Sequence, residues 1–371
     1  MFGLNSCIYL DNSATSRFKP RSMLRAVEKE LKRSANAGRG SHSESLRASG
    51  IIEDARDIIR EKIFDGSVVF TKNCTEALNL AITGLYTGGD IITSVYEHNS
   101  VLRPIERLKA KGAKVNYLSG KGGVLEKSTL NKAITKNTSL VVLQEMSNVT
   151  GTTQNIEELG ILCEEYGIPF IVDCAQSLGH LKTNYKGVSC ISAPAHKGLH
   201  GPQGSGFAVF KKGVVPIPIL AGGTGTESGS LTQPISLPEG QEAGTLNTPG
   251  IAGLKEGINY TYKHFNKIER KIRGLSTTLL SSLKKYKDVT LYSTEPNGVI
   301  SFNVGDFSST EVADILDQKY GICVRAGIHC APLLHRHLGT LKRGAVRVSI
   351  GYNNVESDVE TLLEAVYDIC K

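Results

Sequence analysis

The chain's most suggestive side chain is Lys197, in the stretch Ser189 to Phe207, S-C-I-S-A-P-A-H-K-G-L-H-G-P-Q-G-S-G-F. A short apolar run leads into His196-Lys197. Gly198, Gly201, Gly204 and Gly206 then punctuate an irregular segment before a second apolar run, Phe207 to Phe210. That pattern puts the lysine on a bend between two strands. A lysine held there loses hydration, its pKa falls, and the free amine can add to a carbonyl. The same pattern also describes a solvated turn lysine, so other stretches must decide.

The residues that follow the neighbouring apolar runs are chemically selective. Val68 to Thr71 is followed by Lys72-Asn73-Cys74-Thr75-Glu76, where Thr75 opens a helix as either a cap or a phosphate ligand. Glu97-His98 follows Ile91 to Thr93, and His98 can stack on a planar ring, move a proton or remain a surface histidine. Leu140 to Leu143 leads to Ser147-Asn148-Val149-Thr150-Gly151, where Asn148 is a side-chain donor or a turn residue. Ile171-Val172-Asp173 ends an apolar strand on a carboxylate, which is costly to bury without a partner. A protonated pyridine nitrogen is one such partner, with Gln176 in reach of a neighbouring ring hydroxyl. Thr75, His98, Asp173, Gln176 and Lys197, each at a strand end, together meet the requirements of a pyridoxal phosphate site.

For these residues to meet, the elements between them must form one sheet. Strand-like runs at Val68 to Thr71, Asp90 to Ser94, Lys114 to Leu118, Ser139 to Leu143 and Pro169 to Asp173 alternate with helical patterns. The helical patterns cover Thr75 to Tyr86, Ser100 to Lys111, Leu130 to Thr135 and Ile156 to Tyr166, after earlier ones at Arg21 to Lys32 and Leu46 to Phe64. Alternation of this kind predicts an α/β fold with a mostly parallel sheet and helices on both faces. Ligands bind such sheets beyond the carboxyl ends of the strands.

Beyond Phe210 the character changes. Ala221 to Gly244 reads as a long functional loop at the cofactor mouth or a dimer interface. Gly250 to Leu283 reads as a helical region with a break near Gly274. A smaller α+β unit follows, with strands at Val289 to Tyr292, Val299 to Val304, Ile322 to Val324 and Ala345 to Ser349, and helices at Thr310 to Lys319 and Glu356 to Ile369. The expected division is a large domain of residues 16–245 and a small one of residues 1–15 and 246–371.

The small unit holds a second chemical centre, Cys330, after His329. Cys330, His329, His335 and His337 would suit zinc by type, but their spacing is not that of a finger and no second ligand pair accompanies them, so no metal is expected. Thiol reactivity at Cys330 requires exposure and thiolate character.

With 371 residues, 40% of them hydrophobic and 21% charged, the chain can bury a substantial core. The net charge of +7 is spread over short clusters such as Lys263, Lys267, Arg270, Lys271 and Arg273. No nucleic-acid motif or basic tract accompanies them, so solvated helix faces are the simpler reading. The eight cysteines are scattered without a C-x-x-C pair, and no secretory or membrane-spanning run is evident, which points to a cytoplasmic protein with reduced thiols.

Taken together, E-H-N at Glu97, V-D-C-A-Q at Val172, A-H-K at Ala195, E-A-G-T-L-N-T at Glu242 and R-A-G-I-H-C-A at Arg325 resemble the cysteine desulfurase and selenocysteine lyase family of the class V aminotransferase superfamily. The resemblance runs from Tyr9-Leu10-Asp11-Asn12 nearly to the C-terminus, and the last motif resembles the Suf-type branch. It implies fold type I of the pyridoxal phosphate enzymes and a homodimer. It further implies that Lys197 carries the cofactor, that Asp173 faces the pyridine nitrogen and that His98 stacks on the ring. Thr75 and His196 would bind phosphate, Gln176 and Asn148 would lie by the phenolic oxygen, and Thr245 would reach the phosphate of the neighbouring subunit. Arg347, helped by Arg325 and with Asn148 nearby, would hold the substrate carboxylate, a role suited to a guanidinium fork.

The implied reaction converts L-cysteine to L-alanine. Lys197 would remove the Cα proton, His98 or His329 would move others, and Cys330 would take the sulfur as a persulfide for an acceptor protein or small thiol. L-Selenocysteine is the alternative substrate and amino-group transfer the alternative reaction. The persulfide could feed iron–sulfur cluster assembly, tRNA thiolation or cofactor synthesis. Two residues depart from the family pattern: Pro194 stands where relatives often have Ser or Thr, and Cys74 where they often have Ala or Thr.

Overall fold

The computed structural model describes residues 7–38 and 40–371. Residues 1–6 of the expected small domain, and Arg39, lie outside the described residues.

In chain order the elements begin with β1 (Ile8–Tyr9), α1 (Arg21–Lys32), α2 (Ser43–Lys62), β2 (Ser67–Thr71), α3 (Cys74–Leu85), β3 (Asp90–Ser94), α4 (Asn99–Lys109) and β4 (Lys114–Leu118). They continue with α5 (Lys127–Ala133), β5 (Thr138–Gln144), α6 (Ile156–Glu165), β6 (Phe170–Asp173), β7 (Cys190–Pro194), β8 (Gly206–Phe210), α7 (Thr248–Lys263) and α8 (Phe265–Leu283). The C-terminal part adds β9 (Val289–Leu291), β10 (Val299–Val304), α9 (Ser309–Tyr320), β11 (Ile322–Cys323), α10 (Pro332–His337), β12 (Val346–Ser349) and α11 (Glu356–Ile369).

Seven strands form one sheet in the order β2-β8-β7-β6-β5-β3-β4, in which only β8 runs against its neighbours. The sheet is therefore mostly parallel, as the alternation predicts. Successive residues point to opposite faces, so Val141, Val172 and Ile191 enter one apolar cluster while Leu140, Val142, Ile171 and Cys190 enter another. Burial on both faces explains why β6, β7 and β8 read as continuous apolar runs. Register places Gln144 opposite Asp173 and Asp173 opposite Ser192, so the carboxyl ends of β5, β6 and β7 finish at nearly one level.

A second sheet, β12-β10-β9, is antiparallel, and with α8, α9 and α11 it encloses a third apolar cluster around Ile300, Phe302, Val346 and Leu362. β1 pairs in parallel with β11, and Asp11 bridges to Ser349 at the end of β12. The N-terminal segment is thereby tied to the C-terminal unit before it crosses to the large sheet.

The helical region breaks at His264, which ends α7 and precedes α8, and not near Gly274. Gly274 lies inside α8 on its exposed side with open space around it, so it costs only helix propensity there. α7 buries Ile251, Leu254 and Ile258 in the core of the large sheet, whereas α8 buries Ile268, Ile272 and Leu279 in the third cluster. Residues 221–244 contain one short 3-10 helix, Glu239–Gln241, and otherwise form an extended loop with Leu231 and Ile235 exposed.

Candidate active site

A cavity of about 110 Å³ opens at the carboxyl ends of the large sheet. Thr75, His98, Asn148, Asp173, Gln176, His196 and Lys197 all line it, although they are scattered over more than a hundred residues of sequence. The lysine loop reaches this position because glycines let backbone press on backbone. A Cβ on Gly198 would lie 2.2 Å from the Leu178 carbonyl oxygen, and one on Gly206 would lie 2.8 Å from the carbonyl carbon of Asn73. The loop closes on itself through Gly201 N–H to the Ala195 carbonyl at 2.8 Å and His200 N–H to the Lys197 carbonyl at 2.9 Å.

Lys197 is a buried amine, and burial holds its pKa below that of a free lysine while Asp173 pulls the other way. Asp173 is 5% exposed, and burial raises its pKa. Its Oδ1 accepts from Ala175 N–H at 2.9 Å and from the Cys74 thiol at 3.7 Å. Burial and the adjacent Asp173 push the Cys74 pKa far up, so this residue is a neutral S–H donor. The departure at Cys74 thus adds a weak hydrogen bond to the carboxylate.

The start of α3 forms one wall. Asn73 is its N-cap, accepting from Glu76 N–H at 2.9 Å, so Thr75 is not the cap but sits in the first turn. That position leaves it among the unpaired N–H groups at the positive end of a helix dipole. Thr75 Oγ1 lies 3.0 Å from Ser100 Oγ, which lies 2.8 Å from His98 Nδ1. Ser100 N–H also donates to Nδ1 at 3.0 Å, so the proton of the neutral imidazole resides on Nε2. Burial, aided by the Lys197 charge, drives the His98 pKa down to about 4 and keeps the ring neutral. Ser100 was not among the residues singled out from sequence, although its place two residues after His98 at a helix start was a legible signal.

His196 also has a burial-lowered pKa of about 4, and its Nδ1 is buried without a partner. Its carbonyl accepts from Ser16 N–H at 2.9 Å, Thr15 Oγ1 at 3.2 Å and Lys19 Nζ at 3.2 Å. Lys19 donates in addition to the Gly201 carbonyl at 2.7 Å, pinning both ends of the lysine loop. Pro194, at the end of β7, lines the cavity where a hydroxyl would otherwise project.

On the opposite side, the C-terminal unit packs against the cavity lining through Asn148. Asn148 donates through Nδ2 to the His329 carbonyl at 2.8 Å, while its Oδ1 is buried without a partner. Gln176 Nε2 reaches the Ser13 carbonyl at 3.2 Å. Arg347, 1% exposed, donates from Nη1 to the Asn148 carbonyl at 3.1 Å and from Nη2 to Asp11 Oδ1 at 2.8 Å. Arg325 and Arg347 exchange backbone hydrogen bonds of 3.1 and 2.7 Å, so the two arginines stand side by side. The His329 ring donates from Nε2 to the Ala345 carbonyl at 2.9 Å, and burial takes its pKa down to about 3.

Cys330 is half-buried on a loop in which His329 and Cys330 adopt φ of 49° and 57°. Non-glycine residues seldom enter that left-handed region, and two in succession mark a backbone fixed by its surroundings. The Cys330 carbonyl accepts from Asn99 N–H at 2.7 Å, next to His98. Cys330, Arg325 and Arg347 therefore border the cavity without lining its floor. Thr245 lies elsewhere, in a separate pocket with Phe70, Lys72 and Leu220.

A family model, Aminotransferase class-V, matches residues 8–362. The chain belongs to the class-V aminotransferases. Within that family it is similar to a probable cysteine desulfurase of Pyrococcus abyssi, 36% identical over 98% of this chain and 94% of the relative. A probable cysteine desulfurase of Methanothermobacter thermautotrophicus is 33% identical over 99% of this chain and 95% of its own length. The apo structure of a cysteine desulfurase from Thermococcus onnurineus NA1 superposes with a TM-score of 0.91 at 36% identity, covering 99% of this chain and 95% of that one.

These class-V enzymes depend on pyridoxal phosphate and have the fold type I architecture seen here. The donor set suits that group. Asp173 is a buried carboxylate in want of a cation, His196 Nδ1 is a buried polar atom without a partner, and α3 presents a helix N-terminus of the kind that binds phosphate.

Proposed function

We propose that the chain is a pyridoxal-phosphate-dependent cysteine desulfurase that converts L-cysteine to L-alanine and takes the sulfur onto Cys330. The observation that carries this reading is the pairing of a buried lysine–carboxylate floor, Lys197 and Asp173, with a half-exposed cysteine on a fixed loop at the rim.

The bound cofactor supplies a carbonyl for the substrate amine and an electron sink for the Cα carbanion. Lys197 would hold it, and its amine, whose pKa burial lowers, takes the proton from Cα. Asp173 would face the ring nitrogen and hold its proton, His98 would lie against the ring, Thr75 and His196 would hold the phosphate, and Gln176 and Asn148 would lie on the phenolic side. Arg347, with Arg325 beside it, receives the substrate carboxylate. Cys330 attacks the substrate sulfur as a thiolate; the new S–S bond leaves a persulfide on Cys330 as the C–S bond breaks, and proton transfers for which His98 and His329 are the candidates complete alanine.

The acceptor is a protein or small thiol, and L-selenocysteine is a second candidate substrate. A homodimer fits the position of Thr245, outside its own chain's cavity and beside a loop with exposed Ile217 and Leu220. In this reading residues 16–245 carry the cofactor and residues 1–15 and 246–371 carry the cysteine loop, with α7 packed on the core of the large sheet. Among the described residues no helix is long and apolar enough to cross a membrane.

The test is quantitation of alanine and sulfide from L-cysteine, with L-selenocysteine run in parallel. Cys330→Ala is expected to abolish persulfide formation while retaining the cofactor's visible absorbance. Unchanged turnover with an acceptor thiol would overturn the assignment of Cys330.

A further inference from the structure

Arg347 is not a free receptor. Its Nη2 is on Asp11 Oδ1 at 2.8 Å, its Nη1 is on the Asn148 carbonyl at 3.1 Å, and its Nε is buried with no partner. An arginine kept only for structure would be expected to discharge its buried N–H groups, because leaving one unpaired costs free energy. Here both terminal nitrogens have acceptors and the buried Nε has none, which fixes the plane of the guanidinium and leaves one N–H for a ligand to satisfy.

Asp11 can act as a clamp because its own backbone is immobilised. Asp11 bridges to Ser349, two residues beyond Arg347 on β12, and the Tyr9 hydroxyl donates to the Asp11 carbonyl at 3.1 Å. Ser13 N–H donates to Ser349 Oγ at 2.9 Å, and the Ser13 carbonyl accepts from Gln176 in the cavity wall. The segment after β1 is thus held from the arginine's own strand on one side and from the cofactor site on the other. The Asp11 side chain is 22% exposed and that of Arg347 is 2% exposed, so the pair is screened little by solvent.

We propose that Asp11 is a positioning residue for the substrate carboxylate. It holds Arg347 so that the Nε edge and the remaining N–H groups meet an incoming α-carboxylate in one orientation. This inference rests on the reading that Arg347 receives that carboxylate. Asp11 itself touches neither substrate nor cofactor in this scheme. Its effect belongs to binding shared by the ground and transition states, and so to KM more than to kcat.

The experiment compares Asp11→Ala, Asp11→Asn and Arg347→Gln as purified holoenzymes, measuring kcat and KM for L-cysteine. Equilibrium titration with L-alanine, followed by the cofactor's absorbance, gives binding without turnover. Asp11→Ala is expected to raise KM by about tenfold or more with kcat within about threefold, and to weaken L-alanine binding by the same factor. Asp11→Asn, which keeps an oxygen acceptor in place, is expected to recover part of that loss, and it serves as the test if the alanine variant does not fold. A fall in kcat and cofactor content with KM unchanged would mean a merely structural role and would overturn the proposal. If Arg347→Gln weakens L-alanine binding and neither Asp11 variant does, the clamp alone is refuted. If Arg347→Gln leaves KM unchanged, the carboxylate reading itself fails.

Discussion

The lysine floor and the cysteine rim solve opposite problems with different architecture. Lys197 is reached by strands buried on both faces, its loop is pinned by Lys19 and by close glycine contacts, and its environment withdraws water from the amine. Cys330 sits half-buried on a loop with two left-handed residues, fixed by single hydrogen bonds from Asn148 and Asn99. An amine proposed to act as a base gains from burial. A thiol proposed to receive sulfur and pass it on has to remain reachable. Chemistry that shifts a proton can be enclosed, whereas chemistry that exports an atom is kept at the rim.

The strongest way to break this contrast is Lys197→Ala. The variant is expected to lose turnover entirely, together with the lysine adduct that borohydride fixes in the parent, whereas Cys330→Ala loses only the sulfur step. Retention of the adduct in Lys197→Ala would show that the floor is not where the cofactor is held.

Acidification probes both regions at once. Burial lowers the folded pKa of His98 and His180 to about 4 and that of His200 and His329 to about 3, below the ordinary 6.5. The unfolded chain therefore binds more protons between those values, and the stability these rings contribute is complete above pH 6.5 and is lost as the pH falls through the folded pKa values. Glu97, raised to about 8 by burial, works the other way and gives back stability as pH falls from about 8 towards 4.5, and Asp173 and Glu242, also raised by burial, act in the same sense, but the lowered histidines, His196 and His335 included, outnumber these carboxylates. Tm is expected to drop steadily from pH 6.5 to 4, and a flat Tm across that window would contradict the neutral, buried rings on both sides of the site.

The smallest effect tests the departure at Pro194. Pro194→Ser supplies a hydroxyl at the cavity wall, and one added hydrogen bond is worth about 1 kcal/mol. Cofactor affinity is expected to rise by about fivefold, measured by equilibrium dialysis. No gain would mean that His196 and the α3 terminus already saturate the phosphate side.

Much of this was legible because the relevant signals are local. The β3, β4 and α1 boundaries follow from periodicity and turn residues, as does the bend that carries Lys197. The misread break in the long helix shows the limit of such signals. Gly274 weakens a helix on paper, but the apolar stripe through Ile272, Leu275 and Leu279 continues past it, while the chain turns at His264, where α7 leaves one core and α8 enters another. The capping role of Asn73 and the Ser100 link between Thr75 and His98 depended on which side chains would face each other across a helix start.

By itself, the sequence determined which residues could do chemistry and on which strand ends they would stand, because strand periodicity and residue type are properties of short windows. Tertiary structure alone decided that Asp11, 336 positions from Arg347, would clamp it, that the Asn148 amide would hold the cysteine loop, and that Thr245 would lie outside its own chain's cavity. Those pairings come from strand order and the β1–β11 and β12 registers. Contacts between distant segments are set by the packing of whole cores, which no short window of sequence contains.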